Sequence, residues 1–133
     1  MNFFSAIPRK KFPWHCRLEP LAKALLKKEK KKAFVNVILC DDSNQRKLNC
    51  YYRKLDRVTD VLSFAWNEPD FLGEIYIAYG QVKRQALFYG NSYYKELKRV
   101  LVHGLLHLCG YDHNSKAQRK IMREKECFYI RIS

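Results

Sequence analysis

Three histidines within eleven residues are the feature that most restricts what this chain can fold into. The run H-G-L-L-H-L-C-G-Y-D-H spans residues 103–113 and holds three of the four histidines in the sequence. Side chains four residues apart share one face of a helix, about 5–6 Å from each other, so His103 and His107 can bind one ion. Gly110 can adopt a left-handed backbone conformation that ends a helix and reverses the chain. We therefore expect His113 to turn back toward the other two imidazoles.

This spacing predicts a catalytic metal site. Three protein ligands leave one open position on a tetrahedral ion, as in catalytic zinc sites. The spacing matches the long metalloprotease signature H-E-x-x-H-x-x-G-x-x-H, but Gly104 stands where a protease has its general-base glutamate. The pattern favours a metal-dependent hydrolase over a peptidase. Cys109 lies two residues from His107 and would point to another helix face, so we predict a small buried apolar role for it.

The charge of the chain favours a polyanionic partner. The sequence has 26 Lys and Arg residues against 13 Asp and Glu, a net charge of +13 in 133 residues. A field of this sign attracts RNA, DNA or an anionic membrane through steering and counterion release, although it could also serve solubility alone. The length predicts a single domain spanning residues 1–133.

Cysteine usage and hydropathy bear on where the protein works. Five cysteines form an odd set without a C-x-x-C pair, and the N-terminal stretch lacks the apolar core of a signal peptide. This usage is typical of reduced thiols in the cytoplasm. No run of 18 apolar residues occurs, so we expect no membrane-spanning helix.

The hydrophobic periodicity predicts an α+β fold with a single small mixed sheet covered by helices and the three-histidine site at the end of a long helix. Strands are predicted at 33–40, 61–66 and 72–79, the last two pairing through a turn at 67–70. Helices are predicted from about Leu18 into the charge run 27–32, from the cap at 41–43 to Arg53, at 81–89, from Ser92 to Leu108, and from Ser115 to about Ile130. In the second helix, we expect Leu48 and Tyr51–Tyr52 to be the apolar contacts.

Several blocks of the chain, in order, resemble the bacterial YbeY family of endoribonucleases and rRNA maturation factors. The histidine run at 103–113 is similar to the family's signature, and L-N-C-Y-Y-R at 48–53 followed by T-D-V-L-S-F at 59–64 is similar to its upstream block. The segment L-G-E-I at 72–75 resembles a family strand, and Met122 with Glu126 resembles the closing helix. The similarity runs from about Ala33 to Glu126. Ala65 departs from the family, whose members usually have proline there.

The resemblance implies a function and a set of site residues. It implies that His103, His107 and His113 bind one Zn²⁺ and that Arg53 is a functionally important arginine. It also implies a single-strand-specific, zinc-dependent endoribonuclease that acts in 16S rRNA maturation, ribosome biogenesis and quality control. Ribosomal RNA and ribosomal subunits would be its partners in the cytoplasm.

Elementary chemistry gives Arg53 the same role, and it leaves the roles of two acidic residues open. A guanidinium can hold two oxygens of a phosphodiester as negative charge develops on them, although a surface ion pair with a nearby carboxylate would also explain an arginine here. Asp112 is expected either to orient a histidine or to cap the turn. Glu74 is a further candidate as a proton carrier.

Three functions remain open from the sequence. The first is a metal-dependent RNA hydrolase, and the second is a ribosome-assembly RNA-binding protein whose metal is mainly structural. The third is a peptidase with an unusual base, which Gly104 disfavours. Cleavage of RNA with and without a chelator distinguishes the first two.

Overall fold

A computed structural model of the protein describes residues 1–31 and 34–132, apart from the side chain of Asn67. Four strands and five helices occur in this part of the chain. In order they are β1 (Asn2–Ser5), α1 (His15–Lys28), β2 (Phe34–Cys40), α2 (Asp42–Arg53), β3 (Val61–Glu68), β4 (Phe71–Ala78), α3 (Tyr79–Tyr89), α4 (Tyr93–Leu108) and α5 (Lys116–Arg131). Two positions named in the sequence analysis lie outside the described residues. They are Ala33, the predicted start of the first strand, and Lys32, the end of the charge run.

The four strands form one mixed sheet in the order β1-β2-β4-β3. β2 pairs in parallel with β1 and β4, whereas β3 runs antiparallel to β4. The predicted α+β class and the predicted pairing of the last two strands are therefore confirmed. Strand β1, which has four residues and is held in place by pairing with β2, is not predicted from the sequence. The turn between β3 and β4 is shorter than predicted, because β3 continues to Glu68.

Helix α4 covers one face of the sheet and forms the centre of the core. Its leucines at 97, 101, 105 and 108 recur at helical spacing as one apolar stripe, and all four are buried. Gly104 lies directly against the sheet, since a Cβ atom there would be 3.0 Å from Ile75 and 3.1 Å from Val61. The absence of a side chain lets the helix approach the strands closely, and this approach fixes the height of the histidines above the sheet.

The predicted helix caps are present. Asp41 accepts a hydrogen bond from the amide of Asn44, and Ser92 accepts one from the amide of Lys95. Ser115 and Gln118 form a reciprocal capping box at the start of α5. These bonds satisfy amide groups that the first helical turn leaves unpaired, so the starts of these three helices are set locally.

The predicted apolar contacts of α2 are wrong in part. Tyr51 and Tyr52 are exposed, and Leu48 is only half-buried; the buried side chains of this helix are Gln45 and Asn49. Gln45 donates a hydrogen bond of 2.8 Å to the Tyr76 carbonyl, and Asn49 donates one of 3.0 Å to the Arg57 carbonyl. The helix is therefore attached to the sheet by buried amide groups whose donors are paired, which a hydrophobic pattern does not reveal.

None of the helices in the described ranges combines the length and apolarity needed to cross a membrane.

Candidate metal centre

The last two turns of α4 bring His103 and His107 together on one helix face. Their Nε2 atoms are 3.2 Å apart. The helix ends at Leu108, and the backbone reverses through Gly110, whose φ of 103° is a conformation that L side chains rarely adopt. His113 follows this turn, with its ring centroid 5.7 Å from that of His103 and 4.9 Å from that of His107. The structure thus has the loop geometry that the glycine predicts.

The three imidazoles fit a single metal ion. One ligand nitrogen from each ring lies within 4.8 Å of the other two. Two nitrogens bound at about 2.0–2.1 Å to a tetrahedral ion are about 3.3 Å apart, close to the distance between the Nε2 atoms of His103 and His107. His113 is half exposed, so the group faces solvent on one side. Such a group can hold an ion that remains accessible to a substrate.

The environment keeps His107 neutral. Burial, followed by the neighbouring charges of His103 and His113, lowers its pKa to about 4, against a weaker opposing effect of Asp112. The charge of Arg53 also lowers this pKa. A neutral imidazole is the form that binds a metal, so His107 is ready to bind at neutral pH without first losing a proton.

Two carboxylates contact the histidines from outside the group. Glu126 on α5 is hydrogen-bonded to Nδ1 of His103. Asp112 accepts a hydrogen bond of 2.8 Å from the His113 amide, while its Oδ1 lies 3.5 Å from Nδ1 of His113. Asp112 therefore caps the turn and adds a charge beside the ring. Carboxylates that hold the second ring nitrogen fix the orientation of a ligating histidine.

Sequence reasoning did not assign Glu126 a contact with His103. A signal was available, because Glu126 lies four residues after the buried Met122 and so shares the inner face of α5. An acidic residue on the buried face of an amphipathic helix requires a partner. The partner itself, 23 residues earlier in the chain, is visible only in the structure.

A third carboxylate holds the loop between His107 and His113. Glu29, just after α1, accepts hydrogen bonds from the Tyr111 hydroxyl at 2.6 Å, from the Lys125 ammonium at 3.1 Å and from the Tyr129 hydroxyl. Its side chain is 8% exposed. Although burial acts to raise the pKa of Glu29, these three donors together lower it. The loop that contains Tyr111 is thus linked through Glu29 to the end of α1 and to α5.

Arg53 is the last residue of α2 and is exposed. Within residues 1–31 and 34–132 it forms no ion pair, and the neighbouring pair on this helix joins Arg46 to Asp56 instead. The surface ion pair considered as an alternative is therefore absent from the described residues. Its charge contributes to the low pKa of His107, so its field acts on the histidine group.

Three residues near the histidines, Gly104, Ser63 and Cys109, have contacts that give them structural roles. The hydroxyl of Ser63 donates a hydrogen bond of 3.1 Å to the Gly104 carbonyl, joining β3 to α4. Cys109 packs partly buried against the core, and burial raises the pKa of its thiol to about 11. A thiol with so high a pKa is a poor ligand at neutral pH, in keeping with the small apolar role predicted for it.

Glu74 lies on the side of the sheet opposite to the histidines. Neighbouring strand residues point to opposite faces, and Ile75 faces Gly104 of α4. Glu74 instead accepts a hydrogen bond of 3.2 Å from the Tyr76 hydroxyl. The sheet separates its carboxylate from the three imidazoles, which removes the reason to consider it as a proton carrier for that site.

Comparison with known proteins gives one consistent family. The family model described as "Endoribonuclease YbeY" matches residues 8–131. A protein of that name from Endomicrobium trichonymphae is 40% identical over 121 residues, covering 86% of both chains. Another from Desulfitobacterium hafniense is 43% identical over 119 residues, covering 80% of this chain and 76% of the relative.

A solved structure has a similar fold. The solution structure of TM1509 from Thermotoga maritima superimposes with a TM-score of 0.70 at 35% identity. The match covers 98% of this chain and 87% of that protein. The similarity thus extends over both the sheet and the helices that bring the three histidines together.

Proposed function

The chain belongs to the endoribonuclease YbeY family, and we propose that it hydrolyses phosphodiester bonds of RNA with one metal ion held by His103, His107 and His113. The observation that carries this proposal is the convergence of three ligand nitrogens, one from each imidazole, within 4.8 Å of one another. When bound, a divalent ion would polarise a phosphoryl oxygen and lower the pKa of a coordinated water, so that a nucleophile is available near neutral pH.

The residues present favour zinc. Three imidazoles without a carboxylate or thiolate in the group are a ligand set that zinc accepts, with a fourth position left open for chemistry. Imidazole also suits nickel and copper. The donor set therefore restricts the identity of the metal to ions that prefer nitrogen over oxygen ligands. We propose Zn²⁺ as the ion of the working enzyme.

Arg53 is proposed to bind the scissile phosphate. Its guanidinium is exposed, and its charge acts on His107. A rigid fork of donors can hold two phosphoryl oxygens while negative charge develops on them. The arginine would then stabilise the transition state without taking or giving a proton, a role that suits a guanidinium because this group stays charged in proteins.

Gly104 argues against a peptidase. A general-base glutamate at this position would have to grow into a space where a Cβ atom already meets Ile75 at 3.0 Å and the Ser63 hydroxyl at 3.2 Å. A zinc peptidase with this signature relies on that glutamate. The helix face after the first histidine is used here for packing against the sheet, so the proposal does not include peptide hydrolysis.

Ribosomal RNA is the proposed substrate, within 16S rRNA maturation, ribosome biogenesis and quality control. The net charge of +13 suits a partner as anionic as RNA or a ribosomal subunit. Single-stranded segments are the expected targets, because their backbone can bend into a cleft. All five cysteines are free, which supports the cytoplasm as the place of action. We propose that residues 1–133 act as one domain.

RNA cleavage by metal-depleted protein tests the proposal. A precursor 16S rRNA fragment with single-stranded ends would be incubated with purified protein, with chelator-treated protein and with treated protein given back Zn²⁺. We expect cleavage in the first and third samples only. His107→Ala should be inactive in all three, whereas His15→Ala, which alters the histidine outside the group, should behave as the wild type. Full cleavage by the metal-depleted protein would overturn the catalytic role of the metal. RNA binding without cleavage in any of the three samples would instead favour an RNA-binding assembly factor with a mainly structural metal.

A further inference from the structure

A small aromatic cavity lies between α2 and the face of the sheet that α4 does not cover. Its volume is about 180 Å³, and its walls include Tyr52, Phe64, Trp66, Glu74 and Tyr76. The function proposed above uses none of these side chains. The cavity is open to solvent, because Tyr52 and Trp66 in its walls are 59% and 46% exposed.

The aromatic walls suit a flat, unsaturated ring. The rings of Tyr52 and Phe64 have centroids 4.9 Å apart, and those of Phe64 and Tyr76 are 5.7 Å apart at 74°. Exposed aromatic side chains on a basic protein are the usual platforms for single-stranded bases. Each stacked base contributes about 1–3 kcal/mol of binding. A planar base that enters the cavity would contact Trp66 and Tyr52 with its faces.

Glu74 gives the cavity a specific hydrogen-bonding group. One of its carboxylate oxygens accepts a hydrogen bond from the Tyr76 hydroxyl at 3.2 Å. No lysine or arginine in the described part of the chain forms an ion pair with it. A carboxylate has about four acceptor positions, so Glu74 retains acceptor positions that can bind a ligand with N–H groups. Among the RNA bases, only guanine presents a ring N–H beside an amino group on its pairing edge.

The cavity is next to the proposed catalytic residues across one strand. Tyr52 immediately precedes Arg53 on α2. On β3, Ser63 points to the histidine helix and bonds the Gly104 carbonyl, while the next residue, Phe64, points into the cavity. β3 is an edge strand of the sheet. An RNA chain that crosses this edge can place a phosphate at Arg53 and a neighbouring base in the cavity.

We propose that this cavity binds a guanine base of single-stranded RNA, stacked on Trp66 and Tyr52 and hydrogen-bonded to the Glu74 carboxylate. The inference rests on the proposed function, since it supplies that site with a base preference. In this proposal, residues on the opposite face of β3 from the metal centre select the RNA sequence, and Arg53 positions the phosphate.

Binding of short RNAs in the presence of a chelator tests the cavity apart from cleavage. The probes are four labelled pentanucleotides, UUGUU, UUAUU, UUCUU and UUUUU, with affinity followed by anisotropy. Trp66 fluorescence would be followed in the Trp14→Phe background, where Trp66 is the sole tryptophan. We expect UUGUU to bind about tenfold more tightly than the others and to quench Trp66 most strongly.

Matched variants identify the groups responsible. Glu74→Gln should reduce the preference for UUGUU to about twofold or less, whereas Glu68→Gln, which removes an equal charge from an exposed position at the end of the neighbouring strand β3, should keep it. Tyr52→Ala should weaken binding of all four RNAs about tenfold. Phe88→Ala, an 84% exposed ring on α3, should change nothing. Because Tyr52 is on the surface, its variant remains informative even if Glu74→Gln fails to fold.

The results separate the two proposals. Equal affinity of the wild type for the four RNAs, or no weakening on Tyr52→Ala, overturns the guanine cavity. If metal-dependent cleavage persists in that case, the proposed function stands without it. If guanine-dependent binding is found but the wild type with Zn²⁺ does not cleave RNA, the cavity stands and the nuclease proposal fails.

Discussion

Glu126 on α5 and His103 on α4 are hydrogen-bonded through the glutamate carboxylate and Nδ1 of the imidazole. Nε2, the other ring nitrogen of His103, lies 3.2 Å from Nε2 of His107 within the group of three imidazoles. A carboxylate in this position fixes the tautomer and the orientation of a metal ligand. The closing helix of the chain therefore contributes to the candidate metal centre, although none of its residues belongs to the group of three histidines.

Replacing this carboxylate should weaken metal binding while leaving the fold in place. We expect Glu126→Gln to lower Zn²⁺ affinity about 10- to 100-fold, measured by competition with a chromophoric chelator. Glu124→Gln, at an exposed position of the same helix, is the matched control and should keep wild-type affinity. Equal affinity of the two variants would show that Glu126 does not position His103.

Purified protein should contain one transition-metal ion per chain. Elemental analysis after purification without chelator should give about one equivalent of zinc, because the three ligand nitrogens suit a tetrahedral ion. His107→Ala and His113→Ala should each lose most of it, and His15→Ala should retain it. Less than about a tenth of an equivalent of any transition metal in the wild type would rule out the site.

Arg53 should matter for catalysis and not for stability. Removing one group that stabilises developing charge typically lowers turnover about 10²- to 10³-fold, and we expect this of Arg53→Ala in single-turnover RNA cleavage. Arg53→Lys should recover part of the rate because it restores the charge without the fork. Unfolding should be unchanged within about 0.5 kcal/mol, since the side chain is exposed.

Lys47→Ala, at another exposed position of α2, serves as the control for Arg53. It removes one positive charge from the same helix and should leave cleavage close to the wild-type rate. An equal loss in both variants would mean that Arg53 acts only through the general basic field.

A glutamate at position 104 should damage the fold without creating a peptidase. Its Cβ atom would lie 3.0 Å from Ile75 and 3.1 Å from Val61, and its carboxylate would be forced against the sheet. We expect Gly104→Glu to lower the free energy of unfolding by at least about 3 kcal/mol, measured by urea denaturation. Gly104→Ala should cost less, because overpacking of about 1–3 kcal/mol is partly offset by a gain of about 1 kcal/mol in helix propensity. A stable Gly104→Glu protein that cleaves peptides would contradict this interpretation.

The stabilising effect of Glu29 should depend on pH. Its carboxylate accepts bonds from Tyr111, Tyr129 and Lys125, and its pKa in the folded protein lies below the ordinary value of 4.5. The charged form is therefore favoured by folding, so the carboxylate stabilises the protein above pH 4.5. This contribution is lost as the pH falls through the lower, folded-state pKa.

Glu29→Gln should accordingly lower the free energy of unfolding by about 1–3 kcal/mol at pH 7. The difference from the wild type should shrink progressively below pH 4.5. Urea denaturation of both proteins across pH 3–7 measures it, with Glu124→Gln as an exposed control. A difference that stays constant over this range would mean that the charge of Glu29 is not what stabilises the loop.

The sequence by itself determined the features that depend on near neighbours along the chain. The pairing of His103 with His107 follows from helix periodicity, and the return of His113 follows from the glycine turn. Asp41, Ser92 and Ser115 mark helix starts because a cap bonds an amide three residues later. Strand alternation and the apolar stripe of α4 sufficed for the α+β class.

Only the tertiary structure decided the relationships between distant residues. Glu126 meets His103 across 23 residues, and Glu29 meets Tyr111 across 82. The close approach of α4 at Gly104 and the pairing of β1 with β2 likewise depend on how separate elements pack. Local patterns do not encode such contacts, because the same amphipathic helix or short strand can bury its apolar face against several partners. Burial of the whole core selects one arrangement, and that arrangement sets which carboxylate faces which histidine.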